Sequence, residues 1–293
     1  MIEKYYDGAI EQVAAGLGTV EKNYLLVRYS GQFSVENLND TKQLEKNEDI
    51  FVQVHEFETG EITCAYEPYL TMICDGFRRY MTGTFEEFME TCDVYYLHRP
   101  VLLSYFNQDN TGREEIILLD EVTYEQERML AALERMLCAI ADRHPVLFVL
   151  NRFQLASKST MQLTARFLKC ENCNIGLVLG VSDIQAMPEF LVPDWEMLYE
   201  TLDDGSKIYH IGNSGRKKEE TIDDEKYVDY GSEKVYRKLQ NMVEFLDFDQ
   251  AAYYLETIER KIKFDNLLVD DAARFRMWLL FVKVSILRQD IPK

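Results

Sequence analysis

Residues 145–156 read PVLFVLNRFQLA, and the way this stretch ends decides how the rest of the chain is read. Residues 146–150 are too few to span a bilayer and too uniformly apolar for an exposed face, so they predict a buried central strand of a parallel sheet. Asn151 and Arg152 follow directly. A nucleotide-hydrolysing α/β enzyme ends such a strand in a carboxylate pair that holds Mg²⁺ and orients water. Here the pair is an amide and a cation, and neither can serve as a base.

Strand and helix patterns alternate outward from this segment. Residues 24–27 (YLLV), 49–57 and 175–181 (IGLVLGV) predict further strands, with short ones at 100–105 and 207–211. Helices are expected over 9–16, over an aromatic-rich region that includes Tyr69, Met72, Ile73, Phe77 and Tyr80, over 85–89, over 160–169 behind a Ser159 cap, and over 195–202. Such alternation builds a parallel sheet with crossover helices.

The turn after the first strand, Arg28-Tyr29-Ser30-Gly31-Gln32-Phe33-Ser34-Val35, is where phosphates would sit in such a fold. The phosphate-loop pattern G-x-x-x-x-G-K-[ST] fits it poorly. Gly31 alone falls where these loops are glycine-rich; Ser34 stands at the lysine position and Val35 at the magnesium hydroxyl. The lost lysine, hydroxyl and strand-end acid together argue for a dead site. A plain strand and turn with no phosphate-loop ancestry is the competing reading.

Residues 116–121 (IILLDE) carry a second acidic candidate. An active enzyme would use Asp120 to hold magnesium and Glu121 as general base. The plainer reading is helix initiation. Thr123 and Gln126 form a Thr-x-x-Gln capping box ahead of a helix whose buried face is Met129, Leu130, Leu133, Met136, Leu137 and Ile140, and acids at a helix start are favoured by its dipole.

From 213 to 232 the chain is charged and almost free of aliphatics, which reads as a linker between an α/β domain over 1–212 and a helical region over 233–293. Three helices are expected there. Leu239, Val243 and Leu246 would face Ala252, Leu255 and Ile258, with Asp249 capping the second helix and Phe275, Leu279 and Val282 lining the inside of the third.

With 32 Lys and Arg against 51 Asp and Glu, the net charge of -19 disfavours nucleic acid and anionic lipid as partners. No apolar run approaches the roughly 20 residues of a membrane span, and a cytoplasmic protein is expected. The six cysteines suit reduced thiols. Cys170 and Cys173 form a C-x-x-C without a second ligand pair at zinc-finger spacing, so they read as two thiols in a helix-to-strand turn, and no metal site is expected. His55, His98, His144 and His210 stand far apart without ligand or His-carboxylate spacing.

The succession TYEQERMLAALERMLCAIADR, PVLFVLNRFQLASKSTMQL and NIGLVLGVSD resembles the ATPase module of STAND-type signalling NTPases, the AAA-related ATPases that precede tetratricopeptide arrays in bacterial regulators. The likeness spans about 24–211, with array-like helices after 233, and is specific over about 123–183. In that family the turn after the strand carries two acids and then a Q/H-W-A-D pattern; this chain keeps Gln154 and Ala156 and drops both acids. The resemblance implies an α/β parallel-sheet domain like that of a P-loop NTPase, a tetratricopeptide-like helical region, and a role in signal-dependent assembly through a protein partner bound by the C-terminal helices, with homo-oligomerisation left open. No catalytic residue and no cofactor are assigned. The degenerate nucleotide site would consist of Arg28, Ser30, Gly31, Gln32, Ser34 and Asn151. The alternatives are an ATPase that uses Asp120 and Glu121 with a divergent phosphate loop, and an anion site in which Arg28 assists a helix N-terminus without hydrolysis.

Overall fold

The computed structural model describes residues 2–17, 24–29, 49–58, 60–108, 122–170, 173–182, 187–202, 208–211, 229–264, 267 and 269–288. Five strands, β1 (Tyr24–Tyr29), β2 (Phe51–Glu56), β3 (Val146–Asn151), β4 (Ile175–Ser182) and β5 (Ile208–Ile211), form one parallel sheet in the order β2-β3-β4-β1-β5. β3 and β4 lie inside the sheet and are buried along their full lengths. That is why their sequences run apolar on both faces instead of alternating. Register is set by pairs such as Phe148 with Gln53 and with Leu177.

Period-two alternation sends Val146, Phe148 and Leu150 to one face, and Leu147 and Val149 to the other. The second face is covered by α1 (Ile2–Gly16) through Ala9, Ile10 and Val13. Gly176 permits the close approach: a Cβ there would meet Val13 Cγ1 at 2.7 Å and Leu147 Cδ1 at 3.0 Å.

The first face carries α2 (Tyr69–Tyr80), α3 (Phe85–Thr91), α4 (Arg99–Asn107), α5 (Val122–Ala141), α6 (Lys158–Lys169) and α7 (Val192–Leu202). The six apolar residues read as the inner stripe of α5 are all buried. Burying a side chain of the size of Phe148 or Leu133 is worth about 2 kcal/mol, so this layer dominates the core.

Several local expectations change. Residues 100–105 are helical, within α4. Pro100, near the helix start, has φ preset for a first turn, and the run holds only one β-branched residue, Val101. α1 begins well before residue 9. α6 is capped by Ser157 Oγ, which accepts from Thr160 N at 3.2 Å, so Ser159 already lies inside the helix. Thr123 is likewise inside α5, and Gln126 turns away from any cap to donate to the Leu246 carbonyl at 2.7 Å.

The C-terminal helices are α8 (Glu233–Glu244), α9 (Phe248–Phe264) and α10 (Asp271–Leu287), which pack on one another and join the same hydrophobic core as the sheet. Ser232 caps α8 and Asp270 caps α10. Asp249 is not a cap; it lies in the first turn of α9 and pairs with Lys158 and with Arg288. The inner stripe of α10 is Ala273, Met277, Leu280 and Val284, whereas Phe275 and Leu279 are exposed. Apolar residues occur all around this helix, so periodicity could not select the buried face. Of the expected linker, residues 213–228 lie outside the described residues. No helix among the described residues is long and apolar enough to cross a membrane.

Candidate functional site

In an open parallel sheet ligands bind beyond the carboxyl ends of the strands. All five parallel strands end on that edge of the sheet. β3 delivers Asn151, fully buried, whose Oδ1 accepts a hydrogen bond from the Tyr29 hydroxyl at 2.7 Å and whose carbonyl accepts from Phe57 N at 3.1 Å. Burial pushes the Tyr29 phenol up to about 12, against the lowering effect of Arg152, so it is a protonated donor at neutral pH. The next residue, Arg152, is left-handed at φ 53, which is uncommon without glycine. That turn sets its Nε 3.5 Å from Glu56 Oε1, at the end of β2.

The short 3₁₀ turn Phe153–Leu155 then brings in Gln154. Its buried amide donates from Nε2 to the Ser182 carbonyl at 3.1 Å and accepts from Ser182 N through Oε1 at 3.4 Å. The side chain thereby acts as an extra strand residue and pins the turn to the end of β4. On β2, burial lowers the pKa of His55, despite the opposing charges of Glu67, Glu61 and Glu56.

The expected nucleotide-site residues are not all brought together. Ser30, Gly31, Gln32 and Ser34 lie outside the described residues, as do Asp120 and Glu121. Arg28 and Asn151 belong to opposite faces of the sheet. Arg28 places its guanidinium 5.0 Å from the centre of the Tyr199 ring on α7, on the many-helix face, while Asn151 meets Tyr29 on the α1 face. The strand period of two carries this signal: 28 and 29 cannot share a face.

A second cluster was not legible in the sequence. The N-terminus of α6 points at the start of α9, where Asp247 Oδ2 accepts from Ser159 N at 3.1 Å and Gln250 Oε1 accepts from Lys158 N at 3.3 Å. Lys158 Nζ pairs with Asp249, and Asp194 stands 4.0 Å away. Helix N-termini attract anions; here the protein's own carboxylate fills that role and ties the helical region to the sheet. Burial pushes Asp247 up to about 6, although its bonds from Ser159 and the charge of Lys158 act the other way.

His98 also acquires a partner that spacing did not suggest. Its Nε2 lies 2.7 Å from Glu125 Oε2 in the core between the start of α4 and α5, while Glu125 Oε1 takes Arg128 Nη1 at 2.8 Å. Arg128 in turn stacks over Tyr95. A cleft of about 630 Å³ opens between α2, α4 and α8, lined by residues that include Asp75, Arg78, Tyr105, Arg237 and Glu244, and shares none of its lining with the strand ends.

Chemically, these strand ends bring together the amides of Asn151 and Gln154, the Tyr29 phenol and the ion pair of Arg152 with Glu56, each already engaged within the protein. No protein-family model and no curated protein sequence matches the chain.

Proposed function

We propose that the chain is a non-catalytic sensory or scaffolding module, a pseudo-NTPase whose helical region engages a protein partner. One observation carries this reading: the bond from Tyr29 to Asn151 at 2.7 Å, beside the pairing of Arg152 with Glu56. A hydrolytic site needs an ionised carboxylate at this strand end, open to Mg²⁺ and water. Asn151 is buried and its amide oxygen is spent on Tyr29 of β1, across β4, and Arg152 would repel the metal.

The sheet order supports the comparison with nucleotide-binding α/β domains, because β1 lies inside the sheet and leads out at its carboxyl edge. Support for a partner comes from α10, where Phe275, Trp278, Leu279 and Ile286 are each 45–58% exposed, an apolar grouping that exceeds scattered surface hydrophobics. The assignment to bacterial signalling and to the cytoplasm rests on the sequence resemblance and on composition.

Isothermal titration with Mg²⁺ and ATP, run beside a phosphate-release assay, tests the proposal. No turnover above buffer is expected. Turnover abolished by Asp120→Asn or Glu121→Gln would overturn it in favour of an ATPase. Heat of binding without turnover, lost in Arg28→Ala, would instead establish the anion-binding alternative.

A further inference from the structure

Three thiols far apart in the chain converge at one place. Cys138 sits in the last turn of α5, Cys170 follows the last residue of α6 as its C-cap, and Cys173 precedes β4 by two residues. Their Sγ atoms all lie within 4.8 Å of one another, each half-buried. We propose that Cys138, Cys170 and Cys173 form a site for one thiophilic divalent ion of the zinc class, held by three thiolates with a fourth position open to solvent.

The geometry suits such an ion. Zinc–sulfur bonds of about 2.3 Å in a tetrahedral shell place sulfurs roughly 3.8 Å apart, so the three need to draw together by about an ångström at most. A disulfide would use two sulfurs and leave the third without a purpose. Hard cations prefer oxygen, whereas an all-sulfur set selects zinc or a similarly soft ion. Half-burial leaves an entry path, and an ion here would tie the ends of α5 and α6, which pack on each other, to the entry of β4.

The protonation pattern agrees. The Cys173 thiol is pushed down to about 6, chiefly by the hydrogen bond from Cys138, with further bonds from Cys170 and the Ile175 backbone N–H. Cys138 is pushed far up by the same bond, and Cys170 up to about 11, by burial first. Binding the ion makes three metal–sulfur bonds and releases the thiol protons still held by the three cysteines to water, so affinity rises with pH. The remaining cysteines behave differently: burial pushes Cys64 and Cys74 up to about 12 and Cys92 up to about 11, the state of inert thiols.

Titration of the full reduced chain with Co²⁺ alone, followed by displacement with Zn²⁺, tests the site. One equivalent of Co²⁺ should give a thiolate-to-cobalt charge-transfer band in the near ultraviolet and tetrahedral d–d bands. Cys138→Ser should lose the charge-transfer intensity, while Cys64→Ser keeps it. In the unmutated protein, Zn²⁺ should slow alkylation of Cys138, Cys170 and Cys173, read by peptide mass mapping, which guards against a variant that fails to fold. Absence of the band, a band that survives Cys138→Ser, or alkylation unaffected by Zn²⁺ would each overturn the proposal.

Discussion

The Tyr29 hydroxyl reaches across β4 to Asn151 Oδ1 at 2.7 Å, joining the carboxyl ends of two strands that do not touch as sheet neighbours. β4 runs between them and carries Gly176 and Gly180 on that face, next to Val178. The bond converts the place where a hydrolytic enzyme would keep an acid into a structural tie. Tyr29→Phe removes the hydroxyl while keeping the ring, so its cost reads the hydroxyl's bonds, to Asn151 and with Arg152, without a change in packing. A loss of about 1–2 kcal/mol is expected in urea unfolding, the usual effect of stranding a buried acceptor. An unchanged midpoint would show that the tie contributes nothing.

Glu125 is buried against His98 and accepts from Arg128. Glu125→Ala is expected to destabilise the fold by about 2 kcal/mol, because it leaves the buried His98 ring beside a cavity without its polar neighbour, whereas the half-exposed Arg128 can turn to solvent. The exposed pair of Lys263 with Glu259 provides the contrast. Glu259→Ala should shift stability by less than about 0.5 kcal/mol. Denaturant midpoints of the two variants, measured side by side, check the ranking.

Asp247 makes stability depend on pH. Burial raises its carboxyl from the ordinary 3.8 to about 6, with Asp249 adding to the rise and Lys158 and the Ser159 bonds opposing it. The folded state therefore holds this proton more tightly than the unfolded chain. Its stabilising contribution is fully present below the unfolded value and is lost as pH rises through about 6. Asp194 is shifted the same way by burial and adds in the same sense. The Asp247→Asn variant keeps an oxygen that can accept from Ser159 N, so it should flatten the decline between pH 4 and pH 6 in thermal melts. An undiminished slope would assign the effect elsewhere.

Two glycines should respond to alanine with opposite signs. Gly176→Ala puts a methyl 2.7 Å from Val13 Cγ1, and the wedge between α1 and the sheet should cost about 1–3 kcal/mol. Gly8→Ala, at an exposed position in α1 with nothing within 4 Å of the added Cβ, should stabilise by about 0.5–1 kcal/mol through helix propensity. Melting temperatures of the two variants decide both.

The parts of the fold that could be read in advance were those with a strong local cause. The runs at 146–150 and 175–181 read as interior strands because they are short, apolar on both alternating faces and carry several β-branched residues, and the stripe from Met129 to Ile140 reads as one buried helix face because it keeps helical spacing over three turns. Residues 100–105 misled because a short apolar run does not distinguish a strand from a helix. α10 misled because Phe275, Leu279 and their buried neighbours are equally apolar. At the strand ends, the absence of acids at 151 and 152 was visible at once, but the use made of Asn151 was not.

By itself, the order of residues determined the α/β class, the interior strands and the lack of a carboxylate after residue 150, since each depends on neighbours within a few positions. Only tertiary structure decided that Tyr29 meets Asn151, that Asp247 closes the α6 N-terminus, that His98 finds Glu125, and that Cys138 joins Cys170 and Cys173. The physical reason is separation along the chain. Periodicity reports which face of an element is buried, but the partner across the core is chosen by the packing of whole elements, and no short-range pattern encodes that choice.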